Sequence, residues 1–360
     1  MEKMVNSSKI DPSFWKNKKV FVTGHTGFKG SWLTIWLKDL GAKVIGFSLE
    51  PKNKENLFDI ANVKEGIESQ IGDIRDNDLI TSSISEFNPD ILIHMAAQPL
   101  VRYSYLNPLE TYETNVIGTL NVLEGARKCN NLKSIVIITT DKCYENNEWD
   151  WGYRENEPMG GHDPYSSSKG CCELLVSSYR NSFFNDENSP NIASVRAGNV
   201  IGGGDWSEDR LIPDILESFQ NKKEVIIRNP LSVRPWQHVL EPLSAYLILA
   251  EKLYNNKQFN GAWNIGPYEK DCKSVEWILN SMINLWGKDA TWKLDDNANP
   301  HEANLLKLDI SKAINKLNWR PKWSLDYTLE TIVNWHKKWI DGEDMNNECL
   351  NQIKNYTNND

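Results

Sequence analysis

The chain has 360 residues, 40% hydrophobic and 25% charged, a globular profile that excludes collagen, coiled coil and global disorder. Lys+Arg 40 against Asp+Glu 49 gives a formal net charge of −9, the wrong sign for a protein that holds nucleic acid by neutralising phosphates. Trp (15) outnumbers Tyr (12) and Phe (10), which points either to many packing anchors or to an aromatic-lined ligand cleft.

The segment from Met1 to Trp15 lacks the apolar core of a secretory signal. No run approaches the ~18 apolar residues of a membrane span. The sequence therefore predicts a cytoplasmic chain with neither membrane nor nucleic-acid partner. Its six cysteines form no CxxC pair and no cluster at zinc spacing, so no metal is expected. The adjacent Cys171 and Cys172 read as buried helix residues, with a redox-active pair as the alternative.

In chain order, strands are predicted at 19–23, 43–48, 69–72, 90–94, 134–139 and 192–195, alternating with helices at 28–40, 76–87, 109–129 and 165–184. Near-continuous apolar strands alternating with helices imply a parallel sheet covered on both faces, a doubly wound Rossmann-type α/β domain over 15–200. Beyond it the pattern loosens. Gly202 to Asp205 reads as a flexible loop, followed by helices at 211–221, 239–254, 274–286 and 325–341 and a short strand at 224–227. Residues 201–345 are expected to form mainly a smaller ligand lobe, free to exchange segments with the first domain, and 346–360 a fraying tail.

Gly24-His25-Thr26-Gly27-Phe28-Lys29-Gly30 follows the first strand and opens the first helix. Glycines there let the backbone approach a pyrophosphate, whose charge the helix N-terminal amides stabilise. The spacing is GxxGxxG rather than GxGxxG. At the end of the second strand stands Ser48 where an acidic ribose ligand is usual, so NAD is favoured over NADP only weakly. Asp73 and Ile74 suit the adenine, with a helix N-cap as the alternative for Asp73.

Tyr165 and Lys169 lie four residues apart on one helix face, at the start of a helix after Pro164. A neighbouring ammonium lowers a phenol's pKa, so Tyr165 could accept a hydroxyl proton during hydride transfer. The strand at 134–139 runs into Thr140-Asp141-Lys142, where doubly wound sheets place their ligands. Asp141 and Lys142 are either a surface ion pair or an acid and a base with separately tuned pKa values. Arg210 is either a phosphate ligand or an ordinary surface arginine.

With these residues in hand, the chain resembles the extended short-chain dehydrogenase/reductases that modify nucleotide sugars. Further matching segments are HMAAQ at 94–98, NVIGT at 115–119, RAGNV at 196–200, RPWQHV at 234–239 and WNIG at 263–266. Within that family it is most similar to the CDP-sugar branch of the 4,6-dehydratases, through 24–33, 139–146, 202–214 and 234–242. Related dehydratases carry Thr-Asp-Glu or Thr-Ser-Glu where Thr140-Asp141-Lys142 stands, so Lys142 occupies the position of a glutamate base.

The resemblance implies a redox-neutral dehydration on bound NAD, from CDP-glucose to a 4-keto-6-deoxy product for deoxysugar biosynthesis. The alternative is dehydration or C4 epimerisation of a dTDP-, GDP- or UDP-hexose. Tyr165 would take the C4 hydroxyl proton with help from Thr140 and Lys169, Asp141 would protonate the C6 hydroxyl, and Lys142 would remove the C5 proton. Alternatively, Lys142 stays charged and steadies the enolate, with one residue shuttling both protons. Ala96, Ala97, Gln98 and Asn115 would join the cofactor site. Gln98, Arg102, Asn199, Arg210, Arg234, Trp236, His238, His301 and Glu302 would contact the sugar nucleotide. The family pattern also implies a homodimer or homotetramer through a four-helix contact built from 109–129 and 165–184.

Overall fold

The computed structural model describes residues 8–287, 290–295 and 303–358. Parallel strands are joined by crossovers that carry helices. Seven strands, β1 (Lys19–Thr23), β2 (Lys43–Ser48), β3 (Glu68–Ile71), β4 (Ile91–His94), β5 (Ser134–Ile138), β6 (Asn191–Ala197) and β7 (Gly261–Ile265), make one parallel sheet in the order β7-β6-β5-β4-β1-β2-β3, its inner strands buried and its edge strand β3 partly exposed. The principal helices are α1 (Phe28–Asp39), α2 (Asn77–Phe87), α3 (Gly118–Arg127), α4 (Pro164–Ser182), α5 (Leu211–Gln220), α6 (Leu240–Asn255), α7 (Val275–Trp286), α8 (Leu325–Ile340) and α9 (Met345–Asn358).

Side chains alternate across a strand, so each strand feeds two cores. Val20, Val22 and Val136 face a layer holding Trp32 and Trp36 of α1, Leu243 and Leu247 of α6, and Ile353 and Tyr356 of α9. Phe21, Ile135 and Ile137 face the opposite layer, with Ile84 of α2, Val122 of α3 and Val176 of α4. A third core joins α5, α7 and α8 through Ile215, Phe219, Leu279, Met282 and Ile332. This smaller lobe also carries three two-stranded ribbons, among them Val233–Pro235 paired antiparallel with Cys272–Ser274.

The doubly wound sheet agrees with the sequence reading. β7 and α6 return to the sheet domain from beyond residue 200, an exchange the sequence reading left open. Three details differ. The predicted 109–129 helix is three pieces, Pro108–Tyr112, a π-helical turn Glu113–Ile117, and α3. Residues 345–358 do not fray: Met345, Cys349, Ile353 and Tyr356 recur every three or four positions, form the buried stripe of α9, and dock it on α1. The Gly202–Gly204 loop is packed rather than flexible. The Trp32 indole donates to the Gly203 carbonyl (2.9 Å), and a Cβ on Gly203 would sit 2.2 Å from Trp335.

Tryptophan is mostly core. Trp15, Trp32, Trp36, Trp263, Trp319 and Trp335 are fully buried, and Trp206 packs on Trp335 and Trp339. Trp236 alone among them lines the cleft described next.

Candidate active site

The strand order reverses between β1 and β4, which opens a crevice at their C-terminal ends. The turn after β1 needs glycine for space. Gly24 has φ +79°, and a Cβ there would lie 2.7 Å from the Ala96 nitrogen; one on Gly30 would lie 1.9 Å from the Gly24 carbonyl oxygen. Gly27 is exposed and caps α1 with no side-chain hydrogen bond, so the helix begins with backbone N–H groups open to an anion. This cradle fits a dinucleotide diphosphate. The Thr23 hydroxyl accepts from the Met95 and Ala96 amides (both 3.1 Å) and fastens the loop after β4 to the one after β1.

The flanking residues divide by which way their side chains point. Thr26 Oγ1 bonds Ser48 Oγ (2.8 Å) and the Leu49 carbonyl (2.8 Å), closing the end of β2. The His25 ring turns beneath the loop, where Nε2 meets Ser69 Oγ (2.7 Å); burial pushes it down to about 4, so it is neutral. Asp73 is held by Arg75 through Nε (2.8 Å) and Nη2 (2.6 Å), and the cap of α2 is Asp76. The Ile74 side chain is buried against Gly118. Lys29 reaches the cleft wall, where lost hydration first, then Arg210 and Lys169, bring its ammonium down to about 7.

A cleft of about 450 Å³ lies between sheet and smaller lobe, a volume suited to a small-molecule ligand. Asp163 caps α4 by accepting from the Ser166 amide (2.9 Å), and Pro164 at the first helical position needs no such partner. This start presents Tyr165 and Lys169 to the cleft. Lys169 Nζ donates to the Ile138 carbonyl (3.2 Å), and burial lowers its pKa. Burial also dominates at Tyr165, raising it to about 12 against the opposing hydrogen bond from Thr140. The lowering expected at Tyr165 from a neighbouring ammonium is therefore outweighed in the ligand-free chain.

Thr140 donates to Asp141 Oδ1 (3.0 Å), while Asp141 Oδ2 is buried without a partner. Loss of water raises the Asp141 pKa despite the Lys142 ammonium and the Thr140 bond, a shift toward the protonated form. Lys142 lines the same cleft. Thr140, Asp141, Lys142, Tyr165 and Lys169 thus share one wall.

Among the other expected contacts, Ala97, Arg102, Asn199, Arg210, Arg234 and Trp236 line the cleft. Arg102 pairs with Asp209 (3.3 Å) and Arg210 with Asp205 (3.1 Å), whereas Arg234 donates to the Val233, Asn304 and Ala303 carbonyls. Two expectations fail. His238 is wholly buried between Trp32 and Trp323, with Nδ1 accepting from the Leu240 amide (3.2 Å), so it cannot touch the sugar nucleotide from there. Gln98 turns its amide inward, donating to the Leu100 carbonyl and to Thr111 and accepting from the Leu100 amide, which uses both donors inside the protein, and it is not among the residues that line the cleft. Asn115, in the π-helical turn, acts on the Gln98 backbone from both ends of its amide and on Ser168 Oγ (2.9 Å). His301 and Glu302 lie outside the described residues.

Sequence reasoning missed Arg228, Asp205, Asp209 and Asp214, all of which line the cleft. Arg228 pairs with Asp209 (3.7 Å), and burial, with Asp209 nearby, raises Asp214 to about 7. The one available signal was the position of Arg228 immediately after the short strand at 224–227.

The family model for GDP-mannose 4,6 dehydratase matches residues 21–332. The chain belongs to this family. Like its relatives in the GDP-mannose 4,6 dehydratase family it spans most of their length. It is 59% identical over 341 residues to CDP-glucose 4,6-dehydratase of Salmonella typhimurium strain LT2, covering 93% of this chain and 95% of that one. It is 26% identical to CDP-paratose 2-epimerase of Salmonella typhi, covering 88% and 98%. Two solved structures share the fold. One is dTDP-glucose 4,6-dehydratase from Bacillus anthracis in complex with NAD, with TM-score 0.75, 23% identity and coverage of 89% and 97%. The other is UDP-glucose 4-epimerase from Thermotoga maritima with UDP-glucose, with TM-score 0.77, 24% identity and coverage of 89% and 99%.

Proposed function

We propose that this enzyme dehydrates CDP-glucose to CDP-4-keto-6-deoxy-glucose on a tightly held NAD. The 59% identity to a CDP-glucose 4,6-dehydratase supports the substrate. The observation that carries the chemistry is the buried Asp141 carboxyl, its pKa raised by loss of water, in the same cleft as Tyr165 and Lys169. Such a carboxyl can give a proton to a departing hydroxyl, which epimerisation does not require.

The nicotinamide supplies the acceptor for the C4 hydride and the donor that returns it to C6. The protein's residues move the protons. Tyr165 takes the C4 hydroxyl proton, with the Thr140 hydrogen bond and the Lys169 charge favouring its phenolate. A phenol at about 12 is almost wholly protonated at neutral pH, so Tyr165 depends on nearby positive charge to form its phenolate. The C4 ketone acidifies C5. Either Lys142 removes that proton while Asp141 protonates the leaving C6 hydroxyl, or Lys142 stays charged and steadies the enolate while one residue takes the C5 proton and gives it to the leaving C6 hydroxyl. A proton returns to C5 as the hydride reaches C6.

Arg102, Arg210, Arg228 and Arg234 are the candidate diphosphate ligands, since guanidinium forks match phosphate oxygens. Residues 15–200 with α6, β7 and α9 serve the cofactor, and α5, α7, α8 and the ribbons serve the sugar nucleotide. Leu109 (71% exposed) and Leu174 (62%), with Ile117 and Phe183, leave an apolar face on the helices around α4, suited to a second copy in a four-helix contact. Among the described residues no helix is long and apolar enough to cross a membrane. The six unpaired cysteines suit the reducing cytoplasm, where we place the reaction.

CDP-glucose carrying deuterium at C4 tests the reading. Deuterium at C6 of a product that has lost one water is expected. No turnover, or faster turnover of the dTDP-, UDP- or GDP-sugar, would overturn it.

A further inference from the structure

Behind the cleft lies an ion pair that no step above uses. Glu173 is one helical turn beyond Lys169 and two beyond Tyr165, on the same face of α4. Its carboxylate meets Arg196 of β6 at 2.7 Å, with side chains 3% and 5% exposed. Neither residue lines the cleft; both border a smaller cavity on its far side.

The remaining bonds of the pair run to the two ends of one loop. Glu173 Oε1 accepts from the Thr139 hydroxyl at 2.5 Å, and Oε2 also accepts from Ser194 (2.7 Å). Thr139 immediately precedes Thr140-Asp141-Lys142. Arg196 Nη1 donates to the Tyr144 hydroxyl (2.7 Å) and to the Glu155 carbonyl (3.0 Å), and Tyr144 in turn donates to Asn264 (2.6 Å). Tyr144 immediately follows the turn Asp141–Cys143. One ion pair therefore grips the proton-transfer loop at entry and exit and ties it to the helix that carries Tyr165 and Lys169.

A buried pair is a poor device for stability alone, because desolvating both charges costs about as much as their attraction returns. A buried polar network does fix geometry, here with both side-chain oxygens of Glu173 and both terminal nitrogens of Arg196 bonded and only Arg196 Nε without a partner. Both halves of the dehydration need the same sugar ring placed against two sets of groups.

We propose that Glu173 and Arg196 are positioning residues that set the register of Asp141 and Lys142 relative to Tyr165 and Lys169, and so govern water loss more than hydride removal. The proposal rests on the dehydratase reading above. Tyr165 and Lys169 are fixed by α4 itself, whereas Asp141 and Lys142 are on a three-residue turn whose ends answer to the pair.

The test is single turnover of CDP-glucose by holoenzyme carrying Glu173→Gln, Arg196→Lys, or the milder Tyr144→Phe and Thr139→Val, which delete one tie each and leave the pair intact. The near-ultraviolet absorbance of reduced nicotinamide follows the first step, and mass spectrometry follows loss of water. Nicotinamide reduction is expected to stay within about threefold of the parent while water loss slows about tenfold or more, so that reduced nicotinamide accumulates. KM should change little, and Arg196→Lys, which keeps the charge, should retain more water-loss activity than Arg196→Met. Equal slowing of both steps in the folded single-tie variants, or no slowing in any variant, would overturn the proposal. A parent enzyme that fails to turn over CDP-glucose would instead refute the dehydratase reading.

Discussion

Gly198 and Asp141 are in such close contact that a Cβ on the glycine would lie 1.9 Å from Asp141 Oδ2. The end of β6 is thus the back wall of the proposed acid, and its lack of a side chain is what admits the carboxyl. Gly198→Ala must push Asp141 aside or bend the strand end. We expect water loss to fall about 100-fold, with CDP-glucose binding near that of the parent by calorimetry.

Asp141→Asn keeps the shape and removes the proton. Dehydration should fall by roughly 100-fold to 10,000-fold, the usual range for one general acid. Nicotinamide reduction, watched by absorbance, should persist. A variant that still dehydrates at the parent rate would clear Asp141 of the role.

Lys142→Ala separates the two readings of Lys142. As the base, its loss should abolish exchange of the C5 hydrogen with deuterated solvent. As a charge that steadies the enolate, its loss should leave slow exchange that added salt weakens further. Unchanged exchange removes it from both roles.

The local motifs were legible because their chemistry is contiguous: a glycine turn between strand and helix, and Tyr165 and Lys169 one helical turn apart. A motif does not say which way a side chain points. His238 and Gln98 belong to segments that border the cleft, yet burial among Trp32 and Trp323 claims the first and the Leu100 backbone claims the second. Arg228 and Asp209 are brought together only by tertiary packing, 19 residues apart in sequence and 3.7 Å apart in space. The tail was misread because its many asparagines hide a four-residue apolar stripe that only a docking surface makes meaningful.

Glu241 predicts a pH-dependent stability. Its carboxylate accepts from the Lys322 and Trp323 amides (2.9 and 2.7 Å) and from the Tyr356 hydroxyl (2.7 Å), and burial raises it from 4.5 to about 7. The folded chain keeps this proton between those values while the unfolded chain has released it. Stability is therefore full below about 4.5, falls as pH rises through 7, and levels off above, a loss of about 3 kcal/mol. Glu241→Gln should flatten that part of a Tm-against-pH curve; an unchanged slope would assign it to other groups.

Leu109→Asp and Leu174→Asp put charges on the exposed apolar face around α4. Sedimentation should show the parent as a dimer or larger and the double variant as a monomer. A parent that sediments as a monomer would remove the proposed contact.

The docking of α9 on α1 joins two helices about 300 residues apart in sequence. Trp36 of α1, eight residues beyond the Gly24–Phe28 turn, meets the Tyr356 ring edge-on at 5.9 Å. On the ribosome α1 emerges about 300 residues ahead of α9, so the helix that opens the cofactor cradle waits through that stretch of synthesis for its outer cover. Until α9 follows, Trp36 lacks this shield, and the cradle is complete only once α9 has docked.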